Sequence, residues 1–471
     1  MSDPRITAVG AYAPRFRIAG SEFAQEWSRG PAGITEKSVL DADEDALTMA
    51  VEAGKRALAA ADCSGADVAH LSFASSTPPA EEEDLTARLG SMLGVAEATP
   101  RQQFGGSTRA GVQALLAGLE AGPWNDSVGL VIASDCPRGQ PSDAHEHAAG
   151  AGAAAFVLGE KGAEVVSQGE FTTPYPGTRF REHGSESVDG LGVTGYDREA
   201  FTETIRGAVE QVYVGDIEAA CLQAPDGKVP YRAANALDID TALVQAGTTV
   251  HDHGDTGAAS VPLGLAKALA AGGERVLGVG YGAGGGASAF VVDAGRDVAT
   301  NLALSGDKAL TYAEYLRRRG DLTGDSPAGG GAYVSMPAWH QSLPQRHRLV
   351  AGECVECGAL AFPPEGACDE CGSLGTFEDV QLPGTGTVEA VTRIGQGGAP
   401  PEFAVQQAQS GDFGITIVAF EYDGKAVSAP AQVAYGDLSV GDEVTAIIRR
   451  IYTQEGVTRY GFKVRPADDN D

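Results

Sequence analysis

Residues 150–160 read GAGAAAFVLGE, and residues 282–292 read GAGGGASAFVV. In both, a glycine-alanine turn leads into an apolar run too short for a helix, the pattern of a turn feeding a buried strand. The surroundings repeat as well. Ahead of the first string come QQFGGSTRAGVQALLAGLEAG, a glycine turn and a helix expected from about Thr108 to Glu120, and then the strand SVGLVIASD (127–135). Ahead of the second come HGDTGAASVPLGLAKALAAG (253–272), again a glycine turn and an apolar helix, and then the strand that opens RVLGVGYGAGGGASAFVVD (275–293). One α/β unit used twice is the simplest reading of such a repeat. Both helices start on Gly, Ala, Ser or Thr, and small residues let backbones approach. The two helices are therefore expected to lie buried between sheets.

Outward from the repeat, ITAVGAYAPRFRI opens the chain as a strand ending in a turn at Pro14. DEDALTMAVEAGKRALAAA has helical spacing with acids in its first turn, VAHLSFASS reads as a buried strand, and DLTARLGSMLG (84–94) as a helix. TYAEYLRRRGDL is a helix and TGDSPAGGGAY a linker. Past residue 380, GTGTVEAVTRI, ITIVAFEYDGKAVSAPAQVA, GDEVTAIIRRIYTQ and TRYGFKVRP alternate apolar and polar, which fits a small five-stranded barrel of OB type. The boundaries drawn are 1–165 and 166–305 for the two halves, 306–350 for a bridging helix and linker, 351–378 for a metal knuckle and 379–471 for the barrel.

The knuckle is CVECGALAFPPEGACDEC, residues 354–371. Cys354 and Cys357, then Cys368 and Cys371, form two Cys-x-x-Cys pairs, and four thiolates so spaced suit a closed, structural zinc site. Gly358 and Gly372 follow each pair, where a residue without Cβ lets backbone amides turn toward sulfur. Two disulfides are the alternative, and nothing else in the chain reads as secreted.

At 471 residues the chain exceeds one core, so two to four domains are expected. Sixty-four acidic against 34 basic residues give a net charge of −30, which argues against nucleic acid or an anionic membrane as partner. The acids are dispersed along the chain. That pattern is read as adaptation to high salt, with ordinary acidic solubility as the alternative. The remaining cysteines, Cys63, Cys136 and Cys221, are scattered. With no apolar run of membrane length and no signal-like start, a cytoplasmic location is expected.

DGKVPYRAANAL (226–237), HGDTGAAS (253–260), AGAGAAAF (149–156) and GYGAGGGASAF (280–290) together resemble the thiolase superfamily, in particular the archaeal type of HMG-CoA synthase, over about residues 4–320. Residues 335–471 resemble the zinc-ribbon/OB-fold domain that accompanies such enzymes. In archaea that domain is a separate small protein bridging a thiolase and an HMG-CoA synthase. The resemblance implies a five-layered αβαβα body of two similar halves, action on acyl-CoA thioesters, the mevalonate route, and a homodimer or a heteromer with a thiolase-family protein.

That family uses a nucleophilic cysteine at a helix tip, a histidine base, a glutamate and an asparagine. Matched to its pattern, the cysteine position holds Thr108, the histidine position Gln223, the glutamate position Ser75 or Ser76, and the asparagine position Asp255. Lys228 stands where the family uses a lysine near the CoA phosphates. Gly282, Gly284 and Gly285 stand where backbone amides line the acyl pocket. A threonine hydroxyl is far less acidic than a thiol and needs a base beside it. His147, beside Glu146, and His253, near Asp255, are the replacements considered, together with His145 and His251. Two functions follow. One is an enzyme making or breaking a C–C bond on a CoA thioester, aldol fashion, without a covalent acyl intermediate. The other is a catalytically silent subunit that bridges an active partner through its zinc-ribbon/OB region.

Overall fold

The structure, a computed structural model, describes residues 4–124, 126–295, 298–323, 335–395 and 397–467. The linker expected over TGDSPAGGGAY lies, after Thr323, outside these residues. The chain forms two compact units: residues 1–40, 45–90 and 94–315, and residues 41–44, 91–93 and 316–471. Among the described residues no helix is long and apolar enough to cross a membrane.

The first unit holds two large sheets. One runs, in spatial order, Ala299–Ala303, Arg5–Tyr12, Gly152–Gly159, Val128–Asp135, Val68–Ala74, Arg101–Phe104. The other runs Glu164–Tyr175, Gly284–Asp293, Arg275–Gly282, Ala219–Leu222. From Arg5–Tyr12 through Val68–Ala74 the neighbours pair antiparallel, antiparallel, parallel. The second sheet repeats that sequence of senses. The two related strings occupy the same place in each sheet, the strand second from one end of that four-strand series.

Helix Ala46–Ala60 starts on Asp45, whose carboxylate accepts from the amides of Leu47 and Thr48 while Thr48 Oγ1 accepts from the Asp45 amide, a closed capping box. It packs on Arg5–Tyr12 and Gly152–Gly159; Thr194–Val209 packs on the other sheet through Phe201 and Ile205. Ala110–Ala121 and Ser260–Ala270 share one apolar core with strands of both sheets. This is the five-layered thiolase-type arrangement, and it explains the small residues of the inner helices. A Cβ on Gly111 would run into the Ala258 carbonyl oxygen, and one on Gly264 into that of Gly247.

In the second unit, Val350–Cys354 pairs with Leu360–Ala361 and Phe377–Gln381. Short helices Met336–Gln341 and Leu343–Arg348 precede it. Five antiparallel strands follow in the order Lys425–Gln432, Phe413–Tyr422, Thr385–Ile394, Glu443–Gln454, Val457–Pro466. A bridge from Val433 to Val464 nearly closes them around Val418, Phe420 and Val444, consistent with an OB-type barrel. Lys463, 0% exposed, sits 2.6 Å from Asp43, and Arg449 lies 3.1 Å from Glu44. Each buried cation of this pair thus has a carboxylate of residues 41–44.

Candidate functional site

In the first unit, residues 148–152 and 253–257 run side by side where the two halves meet. The Asp255 amide donates to Ala148 O at 2.7 Å, and the Gly150 amide donates to Asp255 O at 2.9 Å. Gly257 is the hub of this seam. Its amide donates to Asp255 Oδ1 at 2.9 Å, and its carbonyl accepts from Gln223 Nε2 at 2.8 Å. Its φ is +52°, and a side chain there would strike the Asp135 carboxylate.

Asp135 ends the central strand Val128–Asp135 and is 0% exposed. It accepts from Ser75 Oγ, from the amide and hydroxyl of Ser76, from Thr77 Oγ1 and from the Ala258 amide, the last at 2.7 Å. A carboxylate so deeply buried stays in place because its oxygens are surrounded by donors. The ASSTPP stretch, matched to the family's glutamate, is thereby used up: its hydroxyls serve a neighbouring acid. Asp255 is held by Arg179, whose guanidinium is in turn kept charged against its burial by that carboxylate.

Thr108 lies just ahead of helix Ala110–Ala121, as the spacing indicated, but its hydroxyl donates to the Tyr281 carbonyl at 2.6 Å. Arg109 spans to the second sheet, reaching Ser288 Oγ at 2.7 Å and Glu170 at 2.6 Å. Gln223 is 2% exposed, and its Oε1 has no hydrogen-bond partner among the described residues. The same holds for the buried hydroxyls of Thr256 and Ser134.

The histidines separate. His147 packs on Phe23 at 5.0 Å, with its Nε2 3.9 Å from Glu146; burial, then Lys37 and Arg29, lowers its pKa. His253 is buried and neutral, pushed down to about 3 by desolvation and by Arg17 and Lys267. His251 is fixed between Gly33 O at 2.5 Å and Tyr231 Oη at 2.6 Å. His145 feels both Arg179 and Asp255; burial first, then Arg179, lowers its pKa, with Asp143 and Asp255 opposing.

Gly282–Gly286 close a tight hairpin, with Gly284 and Gly285 at φ +95° and +102°. The Gly284 amide donates to Thr178 Oγ1 at 3.3 Å. Lys228 is exposed at the start of helix Val229–Leu237. Cys221 is buried in strand Ala219–Leu222, and burial pushes its thiol up to about 12. Cys136 adjoins Asp135, and burial with that negative charge pushes it up to about 12. Cys63 lies on the turn after Ala46–Ala60, its sulfur against Ala61 O. None of the three occupies the Thr108 position. Asp135 and Arg179 were not singled out from the sequence. The only hint was an acid closing an otherwise apolar strand.

In the second unit the sulfurs of Cys354, Cys357, Cys368 and Cys371 lie within 4.8 Å of one another. Cys354 to Cys371 is 3.8 Å and Cys357 to Cys368 3.6 Å. A tetrahedron with Zn–S bonds of about 2.3 Å needs sulfurs about 3.8 Å apart, so the four thiols fit a zinc ion. Gly358 and Gly372 have φ +70° and +71°, and their amides close turns onto the carbonyls of Cys354 and Cys368. The amides of Cys371 and Glu370 lower the Cys368 thiol to about 7, toward the form a metal takes.

Residues 208–294 match the 3-oxoacyl-[acyl-carrier-protein] synthase III C-terminal family, and residues 342–377 match the ChsH2 rubredoxin-like zinc ribbon. The hydroxymethylglutaryl-CoA synthase of Methanopyrus kandleri is 32% identical over 305 residues, 60% of this chain and 86% of that one. Its counterpart in Methanothermobacter thermautotrophicus is 29% identical over 349 residues, 67% of this chain and 98% of that one. A solved HMG-CoA synthase complexed with CoA superposes with a TM-score of 0.59 at 15% identity, over 71% of this chain and 94% of that one. Fold, repeat and relatives agree: the chain belongs to the hydroxymethylglutaryl-CoA synthase family, on the thiolase-type fold, with a zinc ribbon in its second unit.

Proposed function

We propose that the first unit binds an acyl-CoA thioester and makes or breaks a carbon–carbon bond without an acyl-cysteine. The observation that carries this is the pair Thr108 and Gln223. The hydroxyl at the helix tip already donates to Tyr281 O, and the residue at the base position is an amide whose Nε2 is tied to Gly257 O. A nucleophile without a proton acceptor stays protonated. Aldol-type chemistry needs neither group as nucleophile. A base takes the proton of a β-hydroxyl, the bond between the α and β carbons breaks, and its electron pair forms the thioester enolate, which then takes up a proton. Asp255, held by Arg179, and His145 are the groups at the seam able to move a proton. Gln223 Oε1 is free to accept from a substrate hydroxyl. Lys228 is the cation offered to the CoA phosphates, and Gly282, Gly284 and Gly285 contribute the hairpin beside Thr108. The relatives' name supports CoA thioesters as the substrate class.

The second reading, a silent subunit that assembles with an active thiolase-family protein, is favoured by the packing of His147 on Phe23 and by the burial of His253, which keeps it neutral. Calorimetric titration with acetyl-CoA, acetoacetyl-CoA and HMG-CoA, followed by chromatography of products, tests both. The first reading expects binding and a change in carbon skeleton by the protein alone. Binding with turnover only when a thiolase-family partner is added supports the second. No binding of any thioester overturns both.

A further inference from the structure

Among the described residues, the second unit carries two arginines without a carboxylate partner. Arg459 is 4% exposed; among the described residues its Nε has no hydrogen-bond partner, and a terminal amino group reaches the Met336 thioether, at 3.1 Å. Arg346, half-buried, donates from Nε to Ser342 Oγ at 2.7 Å. Both guanidinium carbons stand over one ring, Trp339, at 4.3 Å and 5.0 Å from its centroid. Neither has a carboxylate partner among the described residues, although the chain has 64 acids and 34 bases. Lys463 and Arg449, in the same unit, each have one.

A cation over an aromatic ring gains about 0.5–2 kcal/mol. Taking a charge out of water costs several kcal/mol, and two like charges add repulsion. Trp339 therefore offsets only part of the cost of gathering these two groups. A bound anion would supply the rest. A guanidinium fork matches the oxygens of a phosphate in charge and in geometry.

We propose that Arg346 and Arg459, backed by Trp339, form an anion site for a phosphate group. The inference does not depend on the chemistry proposed for the first unit. Burial and the charge of Arg459 lower the Arg346 pKa, with Tyr452 opposing, and a bound dianion would act in the same sense as Tyr452. Two sources share this chemistry, free inorganic phosphate and the terminal phosphate ester of a CoA thioester.

The test is calorimetry on the full-length protein at constant ionic strength, with inorganic phosphate, CoA and dephospho-CoA as probes. Inorganic phosphate is expected to bind the wild type and to bind Arg346→Gln at least tenfold more weakly. Arg459→Gln should behave likewise where it folds; the half-buried Arg346 carries the test if it does not. A preference for CoA over dephospho-CoA that vanishes in Arg346→Gln assigns the site to the ester, and an absent preference assigns it to free phosphate. Equal phosphate binding by wild type and Arg346→Gln, or none by either, overturns the proposal.

Discussion

The zinc ribbon and the seam of the first unit are both small polar sites inside a fold, and they have diverged from family pattern in opposite ways. The ribbon keeps every ligand: four sulfurs from two turns 11 residues apart, Cys357 to Cys368, meet at metal spacing. The seam, matched by resemblance, keeps the glycine-rich strings but not the family's reactive residue types. On the match by resemblance, hydroxyls stand where a thiol and a carboxylate are expected, an amide where an imidazole is, and an acid where an asparagine is; Gln223 and Asp255 meet only through Gly257, and Ser75 and Ser76 serve Asp135. A structural site tolerates no such exchange, because its energy lies in the ligands themselves. A binding site can lose its nucleophile and keep its shape, because its shape is set by Gly257, Gly111 and the strands around them.

Breaking the ribbon should give the largest effect. Cys368→Ser, or removal of zinc by a chelator, is expected to take about 10 kcal/mol of metal-linked folding energy from residues 351–375. Hydrogen exchange there should accelerate to the rate of an unfolded chain while the first unit keeps its protection. Loss of protection throughout the chain would show that the two units do not stand apart energetically.

Next comes the seam's own ion pair. Arg179→Met leaves Asp255 buried without its cation and should cost about 3–5 kcal/mol in chemical denaturation. A cost under about 1 kcal/mol would mean that Asp255 reaches water without Arg179.

Histidine burial sets a pH signature of similar size. His253 has a folded pKa near 3 against an ordinary 6.5, so the unfolded chain takes its proton first. Stability from this residue is whole above about pH 6.5 and falls as pH drops toward 3, by about 1.4 kcal/mol per pH unit. Unfolding curves of wild type and His253→Gln should therefore converge between pH 7 and pH 4.5. Parallel curves would place His253 in contact with water.

The smallest effect is expected at Thr108. Thr108→Val removes one hydrogen bond to Tyr281 O, about 1 kcal/mol, and is expected to leave any carbon–carbon turnover within severalfold of wild type. Abolished turnover would return the hydroxyl to a covalent role.

The difference between the sites also marks what sequence could tell. The ribbon is legible because its ligands are close in the chain and their spacing is the geometry. The duplicated fold is legible because the repeat carries its strand with it, as GAGAAAFVLG and GAGGGASAFVV show. The seam was half legible. Thr108, Gln223 and Asp255 were placed by resemblance, and the structure ties Gln223 and Asp255 through Gly257 and sets Thr108 at the head of its helix. Asp135 gathers Ser75, Ser76 and Thr77 from about 60 residues away, a spacing with no local pattern. His147 and His253 looked reactive as His-x-His strings, but the second histidine of each string is buried and the first is half-buried, a choice made by tertiary packing.

Intact-mass spectrometry of the full-length protein, acid-quenched seconds after mixing with acetyl-CoA or acetoacetyl-CoA, tests the central claim most directly. An unshifted mass, for wild type and also for Thr108→Cys, agrees with a seam that lacks a base beside its helix tip. An acyl adduct on the wild-type protein, at Thr108 or at Cys136, would contradict it.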